Sequence, residues 1–252
     1  MSVLAINLYF VRFKNVFNYA DMIGSFVTQT HNTGVPIEQR RGIEHLDLND
    51  YLVLVQAPIE QVGQALCQTR QVARWERDVY GREIELVNQD SAIIFQFRRH
   101  LWTIIQSSIF FPFPMSLHDE DAQSLSRWLH TKALSYLVSD TGGYIGYHYF
   151  NCGESLEKFY YDENELIEVT DTDADEIEFI GVSEFRSQLR PKKADEIDNG
   201  YRFINEFLRE QDAYVPACRW GCILKVGQKV SIQLEGLERD HIERMDYIGL
   251  AE

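Results

Sequence analysis

Between positions 116 and 164 the chain dictates its local structure more fully than anywhere else. Phe111-Pro112-Phe113-Pro114 cannot continue a helix, so it forms an extended lead-in. Ser116, three residues before Asp119, can then form a capping box with Leu117 beside it. Ala122, Leu125, Trp128, Leu129, Ala133, Tyr136 and Leu137 recur at helical spacing and predict one apolar face. Asp140-Thr141-Gly142-Gly143 stops that helix, and the aromatic-rich runs 144–150 and 156–161 flank a glycine-containing turn. The expected order is helix, break, β-hairpin.

The same order is predicted upstream. A short apolar run at 51–56 ends at Pro58, which suits the start of a helix because its missing N–H costs nothing there. Ile59, Val62, Leu66 and Cys67 carry that helix to about Trp75, and strands are expected at 83–86, 92–97 and 101–109. Segments 59–109 and 118–162 therefore read as two helix-then-hairpin units and as a candidate internal duplication, although they share little residue identity. Elsewhere a strand is expected at 5–13, followed by a helix through Val16, Ala20, Ile23 and Val27. Farther on come a strand at 177–182 and a helix at 199–209 with Phe203, Ile204, Phe207 and Leu208 on one side. Strands at 223–226 and 229–234 flank the turn Gly227-Gln228, and 242–250 reads as an edge strand. The predicted class is α+β: antiparallel sheet built from helix-then-hairpin units, with the helices packed on one face. Two closely packed units, 1–115 and 116–252, are compatible with a single domain of this length.

Charge separates function classes more sharply than fold does. With 39 acidic and 24 basic side chains the net charge is -15, which repels nucleic-acid phosphates and anionic lipid. The acid is concentrated: segment 153–198 holds 15 acidic and 5 basic residues, a local net of -10. A reading for nucleic acid would need a basic patch. The nearest is Arg70, Arg74 and Arg77, which fall on one side if the first helix extends that far, with Arg98, Arg99 and His100 at a hairpin tip. Segment 68–100 nevertheless nets only +1. Four cysteines at 67, 152, 218 and 222 are too few and too irregular for a disulfide framework, which implies a reducing compartment. The apolar run 3–11 lacks a preceding basic residue and a cleavage pattern, and no uncharged run reaches the roughly 18–20 residues that span a bilayer. A cytoplasmic, soluble protein is expected, with no membrane partner.

Motifs for chemistry fail on spacing. Asp171-x-Asp173-x-Asp175 starts like a calcium loop, but Glu176 stands where a sharp turn needs Gly and Val182 where a bidentate Glu is required. His148, Cys152, Cys218 and Cys222 supply zinc-type ligands, yet a strand would separate the first two by roughly 13 Å. No Gly-x-Ser-x-Gly elbow and no Gly-Lys-Ser/Thr loop is present. No catalytic residue, metal or cofactor is assigned. Gly142 and Gly143 read as helix-stop residues, and Gly146 as a gap left for a large neighbour.

The leading expectation is a non-enzymatic interaction module of the inhibitor or immunity type. It would bind a basic or neutral protein through Glu163, Glu165, Asp171, Asp173, Asp175 and Glu176. The alternative is a ligand-binding protein or enzyme with an aromatic-lined pocket at Tyr147, His148, Tyr149, Phe159 and Tyr160.

Overall fold

A computed structural model describes residues 34–44, 49–85, 91–106, 119–139, 144–162, 165–167, 176–178, 181–191, 194–197, 199–216, 227, 229–234 and 237–250. The strand expected at 5–13, its following helix, the lead-in 111–114 and Ser116 lie outside these residues, as do the break 140–143 and the strand at 223–226.

In chain order the elements begin with β1 (Gly42–Ile43), β2 (Asn49–Val55), α1 (Ile59–Thr69), β3 (Val72–Glu76), β4 (Glu83–Glu85), β5 (Ser91–Phe97) and β6 (Thr103–Gln106). They continue with α2 (Asp119–Leu129), β7 (Lys132–Ser139), β8 (Tyr144–Asn151), β9 (Glu154–Asp162), β10 (Glu165–Ile167), β11 (Glu176–Glu178) and β12 (Gly181–Ser187). The last are α3 (Gly200–Glu210), β13 (Tyr214–Val215), β14 (Lys229–Ser231) and β15 (Ile242–Leu250). Nine strands form one antiparallel sheet in the order β12-β9-β8-β7-β2-β6-β5-β15-β3. The protein is thus mixed α+β around a large antiparallel sheet.

Central strands read as continuous apolar runs because both faces of the sheet are covered. On one face Val53, Val55, Ile94 and Ile105 pack under α1 and α2, which contribute Ile59, Val62, Leu66, Ala122 and Leu125. On the other, Leu52, Phe95, Tyr136, Tyr147, Tyr149 and Phe159 pack under α3, which contributes Phe203, Ile204, Phe207 and Leu208. Asn199 caps α3 by accepting the Arg202 N–H at 2.8 Å. Phe207 lies flat on Tyr147, with ring centroids 4.1 Å apart. Each fully buried α3 side chain of this size contributes about 1.5–3 kcal/mol. The expectation of helices on one face is therefore corrected: α1 and α2 share one face, and α3 covers the opposite one.

Two helices are shorter than their apolar spacing predicts, each for a local reason. α1 stops at Thr69, whose hydroxyl bonds back to the Ala65 carbonyl; Arg70 is extended, and Val72–Glu76 pairs with β15. Arg74 and Arg77 therefore share no helix face with Arg70. α2 stops at Leu129, because His130 takes a φ of 50° and the Ser126 hydroxyl bonds the Thr131 carbonyl. Lys132–Ser139 is then a strand, so Leu134 and Tyr136 join the α3-side core while Ala133 joins the α1/α2 side. β15 is a further correction. It lies between β5 and β3, within the sheet, because Met245, Tyr247, Ile248 and Leu250 meet cores on both faces. β2 joins the two halves of the chain by pairing with β6 on one side and β7 on the other.

Candidate functional site

The hairpin β8–β9 brings chemistry-bearing side chains together. Its turn is Cys152-Gly153, both at positive φ (50° and 84°), a tight geometry that Gly153 accommodates and that Cys152 adopts at a cost. A bulge then sets Tyr149 opposite Glu157 and Phe150 opposite Ser155, which leaves Leu156 as the extra residue. That residue resets the alternation. Glu157, Phe159 and Tyr161 face α3, whereas Ser155, Lys158 and Tyr160 share the α1/α2 side with His148 and Phe150.

On the α2 side His148 stands between two partners. Its Nδ1 lies 3.0 Å from Asp119 Oδ2 and its Nε2 lies 2.7 Å from Ser155 Oγ. Its ring leans on Phe150, with centroids 4.1 Å apart. Asp119 is the first residue of α2 and also accepts a hydrogen bond from Ser135 on β7. Burial alone would raise the Asp119 pKa. The hydrogen bonds from His148 and Ser135, with the charge of His148 and Lys158, outweigh that and hold it below the usual carboxylate value. Tyr160 lies against the same carboxylate; burial, then the charge of Asp119, pushes its hydroxyl up to about 12. A carboxylate only accepts, so Nδ1 carries the imidazole proton, and in neutral His148 Nε2 is free to accept the Ser155 O–H. The resulting row of hydroxyl, imidazole and carboxylate is the arrangement used to activate a serine.

The opposite face of the hairpin holds a second polar group. Glu157 is fully buried and accepts from Tyr147 Oη at 2.5 Å, Arg190 Nε at 3.0 Å and Ser187 Oγ. Arg190 also pairs with Glu210 at 2.9 Å and lies over the rings of Phe203 and Phe207. Donors surround the Glu157 carboxylate, so this cluster clamps β9, the segment after β12 and α3 together. Burial and the neighbouring Glu157 charge raise the Tyr147 pKa well above that of a free phenol.

The five aromatic-pocket candidates are divided by the sheet. Tyr147, Tyr149 and Phe159 are buried under α3, while His148 and Tyr160 lie on the other side with Asp119. An open groove of about 440 Å³ lies elsewhere, lined by Gln61, Gln64, Ala65, Gln68, Trp128 and Leu129 between α1 and α2. Among the acidic candidates, Glu165 and Glu176 fall on β10 and β11, a separate two-stranded sheet pairing Glu165 with Glu178 and Ile167 with Glu176. Glu163, Asp171, Asp173 and Asp175 lie outside the described residues. Among the described residues no group of three or more His, Cys, Asp or Glu side chains is placed to hold a metal ion. No described helix is long and apolar enough to cross a membrane.

Spacing along the chain hides Asp119 and Ser155. His148 is 29 residues from the first and 7 from the second, and the capping pattern gave Asp119 a different role. The signal that could have found Ser155 is hairpin register: pairing outward from Cys152-Gly153 places it beside Phe150 and within reach of His148. The chain matches no family model, no curated protein and no solved structure.

Proposed function

We propose that this protein is an interaction module that binds a basic protein partner through the acidic region 153–198. The observation carrying the reading is the concentration of charge, a local net of -10 within a total of -15. The β10–β11 pairing adds to it. Glu165 pairs with Glu178 in a two-stranded ladder outside the nine-stranded sheet, so the backbone of this acidic segment is ordered as a hairpin of its own. A face of this kind raises the rate of encounter with a cationic surface about 10-fold or more, and salt screens the effect.

The test replaces Glu163, Glu165, Asp171, Asp173, Asp175 and Glu176 together by their amides. Partners recovered from cell extract are compared with those of the unmodified chain at low and high salt. Recovery should fall at least 10-fold in the variant at low salt, and the salt dependence of the unmodified chain should disappear with it. Equal recovery by both chains would remove the acidic region from the binding surface. The other reading, an enzyme or ligand-binding protein, draws its support from His148 and Tyr160, which converge on Asp119.

A further inference from the structure

We propose that Ser155 is an acyl-accepting nucleophile, activated by His148 and positioned through Asp119, that acts on a carboxylic ester presented by a larger molecule. This goes beyond the binding reading and does not depend on it. The separations are those of working hydrogen bonds: 3.0 Å from Asp119 to His148 and 2.7 Å from His148 to Ser155. Each member is held from a different element. Asp119 opens α2 and is steadied by Ser135 of β7 and by Tyr160; His148 is fixed on β8 between the buried Tyr147 and Tyr149; and Ser155 follows the tight turn into β9. Ser155 is also exposed, so its hydroxyl is open to solvent and to a reactant.

In the proposed step, Ser155 Oγ adds to the ester carbonyl carbon while its proton passes to His148 Nε2. The ester C–O bond then breaks, and the departing alkoxide takes that proton and leaves as the alcohol. Water, giving its proton to the same nitrogen, displaces the acyl group as a carboxylic acid and restores the Ser155 hydroxyl. Lys158 sits opposite His148 in the β8–β9 ladder, with its ammonium paired to Glu184 at 3.0 Å. The substrate class follows from exposure: the hydroxyl stands on open sheet surface beside a hairpin turn, where an ester carried by a bulky molecule is reached without enclosure.

The experiment treats the intact chain with an alkyl fluorophosphonate and reads the adduct by mass spectrometry, alongside p-nitrophenyl acetate turnover. One adduct on Ser155 is expected, with a burst of p-nitrophenol. Ser155→Ala should abolish both with an unchanged melting temperature, since the replaced hydroxyl is exposed. His148→Gln should slow labelling about 100-fold or more. Asp119 is a positioning residue, so Asp119→Asn should slow labelling and also remove the low-field proton resonance of the His148 Nδ1–H. An unlabelled wild-type chain, or equal labelling of the Ser155→Ala or His148→Gln chain, would overturn the proposal. Neutralising the six acidic residues leaves this chemistry intact, so the two readings fail separately.

Discussion

Asp246 offers the sharpest test of how β15 is tied to β3 and to the residues that follow it. It is fully buried on β15, and all its partners are donors. Oδ1 accepts from the Asp78 N–H at 2.9 Å and Arg244 Nε at 2.7 Å, and Oδ2 from Trp75 Nε1 at 2.9 Å and Arg244 Nη2 at 2.5 Å. Asp246→Asn preserves shape and volume but replaces one acceptor with an amide NH₂. Either orientation of the amide points donors at one Arg244 nitrogen and at one of Trp75 or Asp78. A charged hydrogen bond is worth about 1.5–3 kcal/mol and a neutral one about 1 kcal/mol, and the stranded buried donor adds its desolvation penalty. The expected loss is about 3–5 kcal/mol, a large part of the roughly 5–15 kcal/mol that stabilises a folded domain. Asp78 adds to it, because its backbone is held at a φ of 52° and Asp246 anchors its N–H. Urea unfolding followed by circular dichroism should show the midpoint fall by roughly 1–2 M at an unchanged slope. A loss below about 1 kcal/mol would refute the claim that a carboxylate is required here.

Two further outcomes follow from packing and burial. Gly63→Ala in a helix ordinarily gains up to about 1 kcal/mol, but here the new Cβ would sit 2.2 Å from Cζ2 of Trp75, whose indole is tied to Asp246; a loss of about 1–3 kcal/mol and a lower melting temperature are expected, and a higher one would refute the packing argument. Burial lowers the His100 pKa despite the contact of its Nε2 with the Ile37 carbonyl at 2.7 Å, so its stabilisation is full above the unfolded value near 6.5 and lost as pH falls through the depressed folded value; His100→Asn should weaken the pH dependence of stability below pH ~6.5, measured by urea unfolding at several pH values, and an unchanged dependence would refute it.

Element type was legible wherever local chemistry and tertiary packing agree. β5, β8, β9 and α3 follow their apolar runs and turn residues, and Asn199 caps α3 with its side chain. The failures cluster at helix C-termini. Ala133, Tyr136 and Leu137 fit a helical period and also sit on a strand, and what decides is His130 in a left-handed conformation together with the Ser126–Thr131 bond. Neither is visible as spacing. The placement of β15 was hidden for another reason: its neighbours β5 and β3 are more than a hundred residues away, and pairing at that distance leaves no local mark. The Asp119–His148–Ser155 row is of the same kind, since one contact crosses from a helix start to a strand and the other runs across a hairpin whose bulge changes the alternation.

That bulge connects fold to chemistry. Were Leu156 paired in regular alternation, Ser155 and Lys158, three residues apart, would face opposite sides of the sheet. With the bulge both share a face with His148, and Glu157 turns inward to meet Tyr147 and Arg190. The buried clamp on one side therefore supports the half-buried row on the other. Tyr147 and Tyr149, flanking His148, are locked beneath α3 through Phe207, so the backbone carrying the imidazole is held by core packing rather than by the polar row itself. A site built this way keeps its backbone in place when a side chain of the row is replaced, while the orientation of the imidazole still depends on Asp119. Loss of reactivity in Ser155→Ala or His148→Gln then reports chemistry, whereas deleting the Glu157 clamp would disturb both faces at once.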